Sequence, residues 1–193
     1  MIMARLGFKS GKTELKQDQA EYYDGIIKEG SLLCKPQAAF LRLAVQVLDG
    51  QTIQLEKGPG FRSRDLASLL QKSEQVVIMA ATVGKVITDS IKNKMKQGMA
   101  TVSLIYDAVA SETADAILDY LVEYINTMIL REQKRLTKVR YSPGYGDLDL
   151  KDQKKIFKIL SLEKMGLSLT RTFMLIPEKS VTAIAGIEKI EAG

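Results

Sequence analysis

The chain contains no histidine among its 193 residues. That absence excludes Ser-His-Asp and Cys-His triads, the usual zinc sites, and the commonest general base near neutral pH. It also leaves the chain without an imidazole to offer a haem iron or a cobalt. Chemistry here must run through carboxylates, lysine, arginine or tyrosine, or through a reactive ligand brought from outside. Cysteine is nearly absent too. Cys34 is single, so no internal disulfide can form, which fits a reducing cytoplasm, and its expected role is that of a small buried hydrophobe. No apolar run approaches the roughly 20 residues of a membrane helix. The opening MIMARLGFKSGK lacks the apolar stretch of a signal peptide. A cytoplasmic location with no membrane partner is therefore expected.

What the chain does hold is material for one well-buried core, or at most two small ones. With 46% hydrophobic and 26% charged residues, it groups with globular proteins rather than disordered or fibrous ones. A net charge of +5 suits anionic ligands or an acidic partner without demanding either.

Hydrophobic periodicity places the elements. MARLGF (3–8) reads as a short strand. Tyr22, Ile26, Ile27 and Leu33 mark a helix from Asp18 to Cys34 that stops before Pro36. Leu41, Leu43, Val45 and Val47 alternate with Arg42, Ala44, Gln46 and Leu48, and Asp49-Gly50 is a turn pair, so this region predicts a hairpin. Ser63 is a candidate N-cap for a short helix through Leu70. QVVIMAATVG (75–84) is apolar throughout, as a strand covered on both faces requires. GKVITDSIKNKMKQG predicts an amphipathic helix. A longer helix is expected from Ala100 to Arg135, with Val102, Ile105, Val109, Ala116, Leu121, Ile125 and Met128 inward. LKDQKKIFKILSLEKMG predicts a further helix with Ile156, Ile159 and Leu160 inward and Gly166 past its end. LSLTRTFMLI and SVTAIAGI read as strands on either side of Pro177. The elements interleave without a regular strand–helix repeat. The expected class is α+β: one domain over residues 1–193, a mixed or antiparallel twisted sheet with long helices packed around it.

Several motifs invite functions that their details refuse. GFKSGKT (7–13) has three residues between Gly7 and Gly11, where a phosphate-binding loop needs four. ATVGK (81–85) places Val86 where that loop needs a magnesium-binding hydroxyl. KGPGFRSRDL could bind an anion at a helix start, but a plain loop is the favoured reading. Arg131, Lys134, Arg135, Lys138 and Arg140 form a basic cluster at an expected helix end, where the dipole favours cations. No recognition module accompanies it, so nucleic acid is not an expected partner. Asp107, Ser111, Asp115, Asp119 and Glu123 recur every four residues on one helical face. They form either a solvated face or a row in which one middle carboxylate turns into a cleft to receive a cation.

The segment RYSPGYGD (140–147) is the most chemically loaded. Pro143 fixes its own backbone and restricts Ser142 to an extended conformation. Gly144 can take a positive φ and admit a ligand close to the main chain. Arg140 offers paired planar donors suited to a carboxylate. Tyr145 offers a π face for a cation, worth about 0.5–2 kcal/mol. These features fit a small zwitterionic or cationic ligand. They also fit a Pro-Gly turn beside a solvated arginine.

VRYSPGYGDLDLKDQKKIFKIL and EKMGLSLTRTFMLIPEKSVTAIAGI together resemble the activation domain of cobalamin-dependent methionine synthase. The resemblance lies in an Arg-x-x-x-Gly-Tyr core (Arg140, Gly144, Tyr145), a helix containing Gln153 and Phe157, then Gly-Leu-Ser-Leu-Thr and Met-x-x-Pro-x-x-Ser-Val. DAVASETADAILDYL fits the family's long helix, which extends the match over roughly the C-terminal half. The N-terminal half is looser, matching free-standing members in its Leu-Gly-Phe start and Ala-Thr-Val-Gly turn.

This resemblance implies that Arg140 binds the carboxylate of S-adenosylmethionine, main-chain groups near Ser142 contact the adenine, and Tyr145 lines the pocket beside the sulfonium. Asp115 falls where the family has a glutamate. Two further family contacts, an acid near the N-terminus and a tyrosine near the C-terminus, have no match. The implied activity is reductive methylation of oxidised cobalamin, with one electron from flavodoxin or a similar donor. Cobalamin would be carried by a separate methionine synthase subunit or other corrinoid protein, because this chain lacks the histidine. The chain would thus be a component of a methyltransferase rather than a complete enzyme. Alternatives are a reactivator of another corrinoid methyltransferase and a non-catalytic sensing or interaction protein of the same fold.

Overall fold

A computed structural model describes residues 2–8, 16–56, 58 and 60–190. Its centre is strand β4 (Gln75–Thr82), in which every residue from Val76 onward is buried. Alternate side chains serve opposite cores: Val76 and Ile78 face one, and Val77, Met79 and Ala81 the other. A strand covered on both faces cannot afford a polar side, which is why its sequence is continuously apolar. β4 pairs antiparallel with β1 (Gln37–Leu48) on one side and β8 (Ser180–Lys189) on the other. β2 (Thr52–Leu55) and β3 (Gly60–Arg62) extend the sheet beyond β1, and β5 (Lys134–Leu136) extends it beyond β8. The order is β3-β2-β1-β4-β8-β5 and all pairings are antiparallel.

One face of the sheet is covered by helix α3 (Arg64–Leu69) and by Leu148 and Ile156 from the segment after β5. The other is covered by the C-terminal half of α5 (Ala100–Ile129) through Leu118, Leu121, Ile125 and Ile129. The N-terminal half of α5 packs Val102, Ile105 and Val109 against α2 (Gln17–Leu33) and α4 (Lys85–Lys96). At 30 residues and about 1.5 Å per residue, α5 is roughly 45 Å long and therefore serves both cores.

The structure corrects several sequence expectations. Residues 2–5 form a short helix, α1 (Ile2–Arg5), rather than part of a strand, because Ile2 and Leu6, four apart, pack together into the α2–α4–α5 core. The hairpin turn centres on Gly50-Gln51. Asp49 precedes it, with its N–H on Thr52 O (3.0 Å) and its carboxylate accepting the Gln51 and Thr52 amides. α5 stops at Ile129, followed by a 3-10 turn (Leu130–Glu132), since Gln133 is left-handed (φ 55°) and Leu136 pairs with Ile187. Ala116 and Met128 are exposed, and Leu118 and Ile129 take the inward positions. The segment 150–166 is broken into a 3-10 turn, α6 (Gln153–Ile159) and a second 3-10 turn (Leu162–Met165), with Ser161 at φ 51° between the last two. LSLTRTFMLI is a small hairpin of β6 (Ser168–Leu169) and β7 (Leu175–Ile176).

Ser63 caps α3 by accepting the Leu66 amide at 2.9 Å. The Gly84–Lys85 junction is a strand-to-helix turn closed by Lys35 N–H on Val83 O at 2.7 Å. Most of GFKSGKT lies outside the described residues. Among the described residues, no helix is long and apolar enough to cross a membrane.

Candidate functional site

β8 is covered by β5 only over its last residues. Upstream, the chain leaving β5 runs beside it: Thr137 N–H donates to Gly186 O, Tyr141 exchanges both main-chain bonds with Ile184 (2.7 and 2.8 Å), and Ser142 Oγ donates to Thr182 O at 2.7 Å. Past Ser142 this edge is open, and there lies a cleft of about 630 Å³, a size suited to a small ligand. Its floor includes Ser180, Val181, Thr182 and Ala183. Asp115 and Leu118 of α5 flank one side, Leu150 and Gln153 another, and residues 140–145 and 173–178 contribute the walls.

Four of the five residues singled out in the sequence, Asp115, Arg140, Ser142 and Tyr145, line this cleft. Gly144 instead shapes its wall. Ser142-Pro143-Gly144-Tyr145 is a turn closed by Tyr145 N–H on Ser142 O (3.2 Å), with Gly144 at φ 90°. Proline followed by a positive-φ glycine is the requirement of a type II turn. A Cβ on Gly144 would stand 3.3 Å from Leu150 Cδ1, so the turn also packs closely on the far wall.

The second half of the motif has a different task. Asp147 accepts hydrogen bonds from Ser63 Oγ, from the Arg64 amide (2.6 Å) and more distantly from the Asp65 amide (3.4 Å), so it caps α3 together with Ser63. The Ser63 hydroxyl and then the Arg64 amide hold its carboxyl below the ordinary range. Tyr141 Oη donates to Asp65 Oδ2 at 2.8 Å; burial and then that carboxylate push the phenol upward. Gly146 lies against this pair at φ 50°. The loop is thereby fixed to β8 at one end and to α3 at the other. Tyr141, Gly146 and Asp147 were missed as anchors in the sequence, because their partners lie some eighty residues upstream.

The charges of the cleft are already partnered. Arg140 Nη1 bonds Asp119 Oδ1 at 2.7 Å, and the arginine side chain is 31% exposed. Asp115 Oδ2 receives Arg5 Nη2 at 2.8 Å, while Arg5 Nε bonds Glu112 at 2.8 Å. Asp107 and Ser111 both meet Lys179, at 2.9 and 2.8 Å. From Asp107 to Asp119 the polar row of α5 is therefore a paired face, and its member Asp115 borders the cleft. Arg140 keeps further donors beyond the one given to Asp119. Tyr145 is 70% exposed, with its ring free at the mouth. The basic cluster is dispersed: Lys134 lies near Glu132 (3.6 Å) and Arg140 turns to α5.

The sequence pattern of the vitamin B12-dependent methionine synthase activation domain matches residues 43–189. The chain belongs to this family. The match reaches well upstream of the C-terminal half, where the sequence resemblance is strongest, and begins within β1. Activation-domain architecture extends further still. A solved structure described as "Crystal Structure of the MetH Reactivation Domain bound to AdoHcy" superposes with a TM-score of 0.72 at 13% identity, covering 99% of this chain and 74% of that one. At that identity the likeness shows the fold: an α+β activation domain with a six-stranded antiparallel sheet and long helices. No curated protein sequence matches the chain.

Proposed function

We propose that this chain binds S-adenosylmethionine in the cleft beside β8 and presents its methyl group to cobalamin on a partner, as the reactivation module of a split cobalamin-dependent methionine synthase. The observation that carries this reading is convergence. Arg140, Asp115 and Tyr145 come from two separate parts of the chain and line one cleft; together they offer what a carboxylate, an ammonium and a sulfonium require. The family membership and the AdoHcy-bound neighbour support it.

The paired donors of Arg140 hold the ligand carboxylate, and Asp115 receives the ammonium. Tyr145 sets its π face beside the sulfonium, and the main chain at Ser142 meets the adenine. The Pro143-Gly144 turn keeps these groups in place before the ligand arrives, lowering the entropic cost of binding. Cobalamin carried by the partner would supply the nucleophile, with a flavodoxin-like or other one-electron donor as the source of reducing power, and this chain's residues would hold and orient the methyl donor. The ligand sulfur departs as a neutral thioether, so no residue of this chain has to give or take a proton. Orientation is its main contribution, and this explains how a histidine-free chain can serve the reaction. In this reading residues 1–193 act as one cytoplasmic module.

Reconstitution tests it. The protein, S-adenosylmethionine and a one-electron reductant should restore methylcobalamin on the cognate methionine synthase, followed by its absorption spectrum. Restoration only on a different corrinoid methyltransferase would reassign the partner. Failure on every corrinoid protein, with no binding of S-adenosylmethionine at millimolar concentration, would refute the reading.

A further inference from the structure

Strand β1 is 12 residues long, yet none of them is buried. Its neighbour β4 pairs with Gln37–Ala44 on one side, whereas β2 pairs only with the stretch from Val45 to Leu48 on the other. Alternation shows which main-chain groups this leaves open. Lys35 N–H donates to Val83 O (2.7 Å) and Val45 N–H to Glu74 O (2.9 Å). The odd-numbered residues between them therefore turn toward β4, and Ala38, Phe40 and Arg42 turn outward. Among the described residues, nothing pairs with the main chain of those three on the outward side. The gap has fixed ends: Pro36 has no N–H to offer, and Ala44 O already accepts Glu56 N–H at 2.9 Å. A free edge is normally blunted by lysine, proline or a bulge, because it templates pairing with another chain. Residues 37–44 carry none of these. Their one charged side chain, Arg42, is neutralised by Glu132 through two bonds of 2.6 Å.

We propose that β1 pairs antiparallel with β1 of a second copy of this chain, across a two-fold axis at Phe40, joining two sheets into one. The open stretch is its own complement, which is what a two-fold interface requires. With Phe40 opposite Phe40, Ala38 falls opposite Arg42, so every outward N–H and C=O of one copy meets its counterpart on the other. Phe40 packs toward the core under α5, so Ala39 and Leu41 point to the other face. There Ala39 falls opposite Leu41, a small side chain against a large, partly exposed one. Each chain carries a net charge of +5, so two copies approach most readily through a surface without free charge, and this edge is one. Apolar surface continues on the α5 face. Phe40 meets the Tyr124 ring edge-on at 6.3 Å, and Ala38 and Tyr120 line one groove. Tyr120 is 69% exposed and Tyr124 48%, and aromatic side chains of this kind are enriched in interfaces. The ligand cleft lies beside β8, on the far side of β4, and stays open in such a dimer.

Sedimentation equilibrium on the full chain tests the assignment. At about 100 μM the wild type should sediment at twice its 21.4 kDa. As concentration rises, the amides of Ala38, Phe40 and Arg42 should become protected against hydrogen exchange. Those of Ala39, Leu41 and Leu43, held by β4, should be protected throughout. Ala38→Pro removes one outward N–H without touching the β4 ladder, and Leu41→Lys sets a charge on the edge while leaving the main chain intact. Each should weaken dimerisation at least about tenfold, with the circular dichroism of dilute protein unchanged; Leu41→Lys carries the test alone if the proline disturbs the strand. A wild type that stays monomeric overturns the assignment and leaves the edge to a strand of another protein. A dimer that keeps wild-type affinity in Leu41→Lys, or one in which the Ala38, Phe40 and Arg42 amides exchange freely, also overturns it.

Discussion

Replacing Gly146 by alanine is the most direct test of how the loop 140–147 is held. Gly146 has φ 50°, and a Cβ built there overlaps Tyr141 Oη and Asp65 Oδ2 outright and stands 3.2 Å from Tyr141 Cζ. Left-handed backbone costs alanine about 1–2 kcal/mol. Expelling the Tyr141 hydroxyl from Asp65 forfeits a hydrogen bond to a charged group, which we set at about 1 kcal/mol because the carboxylate is exposed. The expected loss is about 2–3 kcal/mol, or a melting temperature lower by roughly 4–12 °C for a domain of this size. Tyr141→Phe alone should cost about 1 kcal/mol. Added to Gly146→Ala it should cost almost nothing more, since the bond it removes is already broken and the overlapping oxygen is gone. Urea unfolding of the four proteins measures the cycle. Simple additivity, or a Gly146→Ala loss below about 0.5 kcal/mol, would refute the reasoning.

Two other outcomes are expected. Arg140→Ala should weaken S-adenosylmethionine about ten- to a hundredfold by calorimetry, with Arg140→Lys in between because it keeps charge but loses the paired donors. Acid should weaken the fold partly through Glu132, whose carboxyl is drawn down from 4.5 to about 2, chiefly by hydrogen bonding to Arg42. Its folded value is depressed, so its contribution is complete above the ordinary glutamate range and disappears as pH falls from 4.5 toward about 2. Urea midpoints across that window should fall less steeply in Glu132→Gln than in the wild type.

The legible parts of the fold were those governed by local pattern. The run from Val76 to Thr82 announced a strand buried on both faces, and Ser63 announced a helix start, because each signal is complete within a few residues. The end of α5 was not legible. Leu130–Leu136 has helix-compatible residues, and only the pairing of Leu136 with Ile187 stops the helix where it does. In RYSPGYGD the chemistry of Arg140 and Tyr145 could be read directly. The anchoring by Tyr141 and Asp147 could not, since Asp65 and Ser63 are brought to the loop only by the folded sheet. Nor could Arg5 have been paired with Asp115 from spacing, across 110 positions of chain.

That last pair has a thermodynamic consequence. Asp115 is one of two carboxylates lining the cleft, with Glu178, and it is already shared with a cation from α1. A positively charged ligand group arriving at Asp115 divides the same negative charge with Arg5, so each lowers the other's hold on it. Linkage makes the penalty mutual: whatever loosens α1 from the α5 surface raises the cleft's appetite for cations, and whatever fills the cleft loosens α1. The N-terminal helix is thus a built-in competitor for any cation at Asp115, although Arg5 does not itself line the cleft.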